Sequence, residues 1–269
     1  MRLAFSTLGC PAWSLDEILQ NGKDMGFQGV ELRGVAGQMN LSELPAFSPQ
    51  NRARTMARFV QRGLKICAVA SSVCFHEAEK LGAALREGRE AIALCSAMNI
   101  PYIRVFGNWT VCAAALEDEV KRVAQGLKTL CAAAEGTGVT VLLEVHGHFN
   151  TVPRLLKTAE LVDSPCFGIL WDVAHSDDVY GRDFQAFYRP LRPLIRHVHL
   201  KDHIHGPDRS IRLCGMGEGE IPLRAIIEQM EADGYSGFYS LEWEKKWHPE
   251  LAEPETAFPA FVAWMKALG

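Results

Sequence analysis

Short apolar runs alternate with longer segments in which apolar residues recur at helical spacing along most of the chain. The longer segments predict amphipathic helices, and two of them begin with clear start signals, the capping box from Ser14 to Glu17 and Pro222 at a first helical position. The apolar runs have the length of buried strands. They predict eight strands, at residues 3–6, 29–32, 64–70, 102–106, 139–145, 167–171, 196–200 and 237–242.

Eight strands alternating with eight helices in about 250 residues are typical of a closed (β/α)8 TIM barrel. A doubly wound open sheet is the alternative α/β fold, but it normally carries a glycine-rich phosphate turn after the first strand. Here the first strand is followed by Gly9-Cys10-Pro11, which does not match that pattern. No stretch resembles a linker, so the sequence predicts one α/β domain, a TIM barrel spanning residues 1–269.

The last four predicted strands each place a side chain that can bind metal at or near the carboxyl end: Glu144, Asp172, His199 and Glu242. A lone acid at a strand end is more often a solvated surface group. In a TIM barrel, however, the carboxyl ends of all strands meet at one mouth. Three carboxylates and one imidazole favour Mn²⁺, Mg²⁺ or Co²⁺ over Zn²⁺. The four residues therefore predict one bound divalent metal ion.

His197 and His199 lie two positions apart in the seventh predicted strand. His197 and His199 point to the same face of their strand because strand side chains alternate with a period of two. We assign the outer residue, His199, to the metal and His197 to a buried supporting position behind it.

The polar, glycine-containing segment 202–221 is predicted to be a long active-site loop. Loop positions predict solvated side chains for His148, His203 and His205.

Four further polar side chains are predicted to contact the substrate. His146 and Lys201 share strand faces with the predicted ligands if those strands extend far enough, and His175 follows one turn after Asp172. Arg104 lies inside an apolar strand, where an unpaired guanidinium would be very costly. Its partner is either a structural carboxylate or an anionic or polar group of the substrate, and the sequence leaves both open.

Composition limits the function classes. The chain has 28 basic and 32 acidic residues and a net charge of -4, which does not favour a protein that binds nucleic-acid backbones. No apolar run is long enough for a membrane span, and the eight cysteines form no C-x-x-C pair. We expect a cytoplasmic protein with reduced thiols and no membrane or nucleic-acid partner; a homo-oligomer remains compatible with these observations.

Five short sequence motifs resemble those typical of the xylose-isomerase-like TIM-barrel superfamily of sugar isomerases and epimerases. They occur in the usual order and span nearly the whole chain: Leu143-Glu144-Val145-His146-Gly147, Trp171-Asp172-Val173-Ala174-His175, His197-Val198-His199-Leu200-Lys201-Asp202, Gly217-Glu218-Gly219-Glu220-Ile221 and Ser240-Leu241-Glu242-Trp243. In the ketose 3-epimerase branch, the resemblance implies the same four metal ligands and a substrate contact from His175. It therefore agrees with the ligand set drawn from the strand ends.

The resemblance favours a metal-dependent sugar isomerase or epimerase acting on a small keto-polyol. Glu144 and Glu242 would transfer the proton through an enediolate. A dehydratase of the inosose or dehydroshikimate type is the alternative, since the same enediolate can expel a hydroxyl group. Nucleases of the endonuclease IV group carry extra histidines at the third and fourth strand ends, but here the fourth strand ends Arg104-Val105-Phe106-Gly107. A non-catalytic binding protein built on the same barrel is a further alternative, and it belongs to a different functional class.

Overall fold

The computed structural model describes residues 1–108, 116–208 and 210–269. Its strands are β1 (Arg2–Ser6), β2 (Gly29–Leu32), β3 (Lys65–Cys74), β4 (Tyr102–Phe106), β5 (Thr140–Glu144), β6 (Phe167–Asp172), β7 (Ile195–Leu200), β8 (Asp202–His205), β9 (Ile211–Cys214) and β10 (Phe238–Leu241). Its α-helices are α1 (Leu15–Asp24), α2 (Arg52–Gln61), α3 (Leu81–Ala97), α4 (Leu116–Ala134), α5 (Val152–Val162), α6 (Val173–Tyr180), α7 (Phe184–Leu191), α8 (Leu223–Ala232) and α9 (Pro254–Lys266).

Eight of these strands form one closed barrel of parallel strands, in the order β1, β10, β7, β6, β5, β4, β3, β2. The predicted α/β TIM barrel is confirmed. The chain divides into two compact units. The terminal half comprises Met1–Cys67 and His197–Gly269, and the central half comprises Ala68–Arg196.

The terminal half contains four of the barrel strands in the order β7, β10, β1, β2. Phe5 of β1 anchors its core, with ring centroids 4.8 Å from Phe27 and 4.9 Å from Phe258 of α9. The predicted capping box opens α1, because Ser14 accepts a hydrogen bond from the Glu17 backbone while the Glu17 side chain accepts one from the Ser14 backbone.

In the central half, β4 pairs with β3 and β5, and β5 pairs with β6. Strand β6 is buried along its whole length, which explains its continuous apolar sequence. Its Trp171 stacks on Phe187 and Tyr188 of α7, with centroid separations of 5.7 and 5.3 Å. This aromatic packing fixes the strand that ends in Asp172.

The structure differs from the sequence prediction in two segments. Helix α6 follows β6 directly; its residues lack an apolar period, so no helix was predicted there. The segment 202–221 was predicted as a loop, but it contains the antiparallel hairpin of β8 and β9. The segment is therefore not a loop throughout; its two strands of four residues each are too short for a strand pattern to stand out.

Six of the seven cysteines in the described residues are buried and none of the seven forms a disulfide, as predicted for reduced thiols. Cys112 lies outside the described residues. Among the residues the structure describes, no helix combines the length and apolar character needed to cross a membrane.

Candidate functional site

A fully buried carboxylate, Glu31 on β2, organises the polar centre of the terminal half. Its Oε2 lies 2.7 Å from His197 Nε2, and its Oε1 lies 2.8 Å from His199 Nε2. The Ser240 hydroxyl donates a further hydrogen bond, 3.2 Å long, to Oε2. An ionised carboxylate only accepts hydrogen bonds, so both imidazoles present an Nε2–H group to Glu31.

The other nitrogen of His199 faces a second carboxylate. His199 Nδ1 lies 3.3 Å from Glu242 Oε1. Burial would lower the pKa of His199, but Glu242 and Glu31 on either side raise it well above its ordinary value. Burial likewise would raise the pKa of Glu31, yet His199 and His197 hold it below its usual range.

Lys201 joins Glu242 to a third carboxylate. Its Nζ lies 2.8 Å from Glu242 Oε2 and 2.5 Å from Glu244 Oε1. Burial opposes ionisation of Glu242, but His199 and Lys201 together keep its pKa well below the ordinary value. Lys201 was predicted to contact the substrate; the structure shows an ammonium group already engaged by two carboxylates of its own half.

In the central half, Arg104 of β4 pairs with Glu144 at the end of β5. Arg104 Nε lies 2.9 Å from Glu144 Oε2, and both side chains are 2% exposed. The guanidinium carbon also lies 3.9 Å from the centroid of the Phe106 ring, a cation–π distance. Of the two partners that the sequence left open for Arg104, the structure shows a carboxylate.

The two carboxylate oxygens of Asp172 make different contacts. As the N-cap of α6, its Oδ1 accepts hydrogen bonds from the backbone of Ala174, at 2.9 Å, and of His175, at 3.4 Å. Its Oδ2 lies 3.8 Å from His175 Nε2. The cap holds the carboxylate in a single orientation, and it places His175 beside it.

His146 and His175 pack together next to this carboxylate. Their ring centroids are 4.3 Å apart, and the His146 ring also packs edge-on against Phe106 at 5.0 Å. His146 Nδ1 lies 3.1 Å from the backbone oxygen of Asn108, which can only accept, so this nitrogen carries the proton. Both imidazoles are partly exposed.

His148 was predicted to be a solvated loop residue, and this prediction was wrong. Its side chain is 9% exposed, and its Nδ1 lies 2.7 Å from Glu119 Oε2 at the start of α4. Asn108 bridges the same pair, donating to Glu119 and accepting from the His148 backbone, each at 3.0 Å. This network ties the end of β4 to the segment after β5.

His203 was also predicted to be solvated, but it is 1% exposed at the base of the hairpin. The neighbouring Asp202 is buried and accepts hydrogen bonds from the backbone N–H groups of His203, Gly217, Gly219 and Ile221. Burial raises the pKa of Asp202 in spite of these donors. His205 remains at the surface, where it pairs with Glu220 at 2.8 Å.

The main residue absent from the sequence prediction is Glu31. It lies near the carboxyl end of its strand, as the predicted ligands do, and the stretch from Gly26 to Glu31 resembles the stretch from Gly234 to Glu242. That similarity was a usable signal. Its contacts with His197 and His199 were not predicted, because a strand-end pattern does not show which side chains contact one another.

Comparison with known proteins supports the fold and indicates which types of enzyme the chain is similar to. A family model described as xylose isomerase-like TIM barrel matches residues 19–268. Inosose dehydratase from Klebsiella pneumoniae (strain 342) is 25% identical over 288 residues, covering 94% of this chain and 93% of the relative. The 3-dehydro-D-guloside 4-epimerase of Escherichia coli (strain K12) is 24% identical over 263 residues and 91% of each chain. These relatives are carbohydrate-processing enzymes.

Solved structures show the same architecture. The IOLI protein, solved with a bound zinc atom, superposes with a TM-score of 0.81 at 18% identity, covering 100% of this chain and 98% of the other.

Proposed function

Because the chain belongs to the xylose isomerase-like TIM barrel family, we propose that it is a divalent-metal-dependent sugar isomerase or epimerase acting on a small keto-polyol. A dehydratase acting on the same kind of substrate is the second candidate, which the similarity to inosose dehydratase favours. Both reactions begin with removal of a proton next to a carbonyl group.

In this proposal Glu144, Asp172, His199 and Glu242 hold one divalent ion. The single observation that carries it is the orientation of His199, whose Nε2 is engaged by Glu31 while Nδ1 faces the Glu242 carboxylate. The donor set fits such an ion by its chemistry, because three carboxylates and one imidazole supply the hard oxygen and nitrogen ligands that these cations take. Mn²⁺, Mg²⁺ or Co²⁺ suits three carboxylates best, although the solved IOLI protein carries zinc.

The bound cation would stabilise the negative charge that develops on the substrate oxygen. Glu144 and Glu242 are the proposed acid and base. One carboxylate takes the proton from the carbon next to the carbonyl, and the other returns a proton to the enediolate. Arg104 and Lys201 hold these carboxylates by the ion pairs described above, while His175 and His146 offer ring nitrogens to substrate hydroxyl groups.

The fate of the enediolate separates the two candidate reactions. In isomerisation or epimerisation the abstracted proton is replaced, and the product has the same composition as the substrate. In dehydration the electron pair of the broken C–H bond forms a C=C bond, and hydroxide leaves from the next carbon and takes up a proton to become water. The same residues can start either reaction.

Metal binding is tested by stripping the purified protein with a chelator and titrating it with Mn²⁺. We expect one ion per chain. A stoichiometry near three would instead point to the nuclease branch, and an inert site with no turnover of any polyol or ketose would favour a binding protein.

The reaction is tested by turnover in deuterium oxide with a panel of ketoses, inososes and hydroxy-keto acids. Glu144→Gln and Glu242→Gln, each confirmed to retain metal, should lower turnover by about 10²–10⁴-fold. Solvent deuterium at the reacting carbon identifies isomerisation or epimerisation, whereas loss of water identifies dehydration. If a metal-loaded variant keeps near wild-type turnover, the acid–base pair is misassigned.

A further inference from the structure

We propose that Glu31 is a positioning residue that sets the affinity of the metal centre by holding His199 in one tautomer and one orientation. The inference rests on the proposed function, because it takes His199 Nδ1 as the nitrogen that binds the ion. It concerns only residues of the terminal half, and Glu31 itself does not bind the ion.

Both carboxylate oxygens of Glu31 accept hydrogen bonds. The side chain is fully buried and accepts from His197, His199 and Ser240, with His199 Nε2 lying 2.8 Å from Oε1 and 2.9 Å from Oε2. These three donors occupy most of the roughly four acceptor positions that an ionised carboxylate offers. With the Nε2 proton of His199 held in this way, Nδ1 is the nitrogen that gives up its proton and presents a lone pair when an ion binds.

Glu31, His197 and His199 also form a compact group whose ligand atoms lie within 4.8 Å of one another, so they could be taken for a metal site themselves. The distances argue against this. Each imidazole nitrogen lies 2.7–2.9 Å from a Glu31 oxygen, the length of a charge-assisted hydrogen bond. Two ligands each about 2.1 Å from a tetrahedral ion would be roughly 3.4 Å apart.

Glu31→Gln is the most informative substitution, because it keeps the shape of the side chain. The amide presents an NH₂ group in place of one accepting oxygen. Because an NH₂ group donates, an imidazole facing it must present an unprotonated Nε2. Its proton then lies on Nδ1, the nitrogen that is proposed to bind the ion. Loss of such a supporting carboxylate typically weakens metal binding about 10- to 100-fold.

The test is calorimetric titration of the stripped protein with Mn²⁺, alongside a thermal melt that confirms folding. We expect Glu31→Gln to weaken Mn²⁺ binding about 10- to 100-fold. The matched control is Glu119→Gln, which also neutralises a buried carboxylate paired with a histidine, but at His148. It should leave the Mn²⁺ affinity within about twofold of wild type, as expected for a carboxylate that supports no ligand.

Asp172→Asn separates the failure of this inference from the failure of the proposed function. If Asp172→Asn weakens Mn²⁺ binding and folded Glu31→Gln does not, the role of Glu31 is wrong and the ligand set stands. If Asp172→Asn has no effect while His197→Gln abolishes binding, the ion sits among Glu31, His197 and His199, and both proposals fail.

A measurement on the unmodified protein covers the case in which Glu31→Gln does not fold. Nitrogen-15 NMR of the Zn²⁺-loaded wild type should show His199 protonated on Nε2 and unprotonated on Nδ1. A His199 protonated on Nδ1 with metal bound would overturn the inference without any variant.

Discussion

The two halves of the chain each bury a carboxylate against a basic side chain, but they do so differently. In the central half, Glu144 pairs with Arg104, and both side chains are almost completely buried. In the terminal half, Glu242 shares Lys201 with Glu244, which is 20% exposed, and it also faces His199. Glu144 is thus paired with an almost completely buried arginine, whereas Glu242 belongs to a network that reaches the partly exposed Glu244.

This difference predicts unequal consequences when a cation is removed. Arginine is always charged and presents a rigid planar donor group, whereas a lysine is a flexible point charge. Removing the buried cation that pairs with a buried carboxylate is strongly destabilising, while a carboxylate in a network with a partly exposed member is more easily solvated. The proposed acid–base pair therefore contains one rigidly held carboxylate and one that shares its partners.

Arg104→Met should have the largest effect. It leaves the Glu144 carboxylate buried without its ion pair, which costs about 3–5 kcal/mol in the free energy of unfolding. Urea denaturation of the metal-stripped protein measures this. A loss below about 1 kcal/mol would mean that the pair contributes little and would remove the contrast between the halves.

The matched control for this prediction is the double variant Arg104→Met with Glu144→Gln. Because it removes both charges, it should recover much of the stability lost in the single variant. Equal losses in the two variants would show that the packing of Arg104, and not the charge of Glu144, is responsible.

Asp172→Asn should affect metal binding without affecting folding. Asparagine is as good an N-cap as aspartate, so the hydrogen bonds to the start of α6 survive and stability stays within about 0.5 kcal/mol of wild type. Loss of a ligand charge should weaken Mn²⁺ binding by more than about 100-fold, or about 2.7 kcal/mol. A variant that unfolds more easily but binds Mn²⁺ normally would reassign Asp172 to a purely structural role.

The barrel could be predicted because its strands are apolar runs with helical segments between them. Elements without that pattern were missed. Residues of α6 are largely polar, and the helix is opened by Asp172, whose sequence position was explained by metal binding alone. The strands β8 and β9 have only four residues each, and the base of their hairpin depends on Asp202 accepting hydrogen bonds from backbone N–H groups that lie 15 to 19 residues away.

In the candidate site, sequence could predict which residue types stand at strand ends but not which of them contact one another. The environments of Glu31 and His148 depend on residues far along the chain, at His199 and Glu119. Arg104 shows the intermediate case. The cost of burying a guanidinium implied a partner, and only the structure identified it as Glu144.

Lys201→Met should cost less than Arg104→Met, about 2 kcal/mol in the free energy of unfolding. Glu242 keeps its contact with His199, and Glu244 is exposed enough to be solvated in the absence of the lysine. Urea denaturation of metal-stripped protein, run beside Arg104→Met, gives the comparison. A cost equal to that of Arg104→Met would show that the network of Lys201, Glu242 and Glu244 matters as much for stability as the Arg104–Glu144 pair.

Glu244→Gln should have the smallest effect, because it removes only the outer member of the same network. The amide oxygen can still accept a hydrogen bond from Lys201, and Lys201 retains its 2.8 Å contact with Glu242. A partly exposed ion pair contributes about 0–1 kcal/mol, so the loss of unfolding free energy should fall in that range. The same urea series measures it, with Lys201→Met as the reference. If Glu244→Gln is as costly as Lys201→Met, then Lys201 is held mainly from the surface side and Glu242 is the weaker partner, the reverse of the order expected from burial.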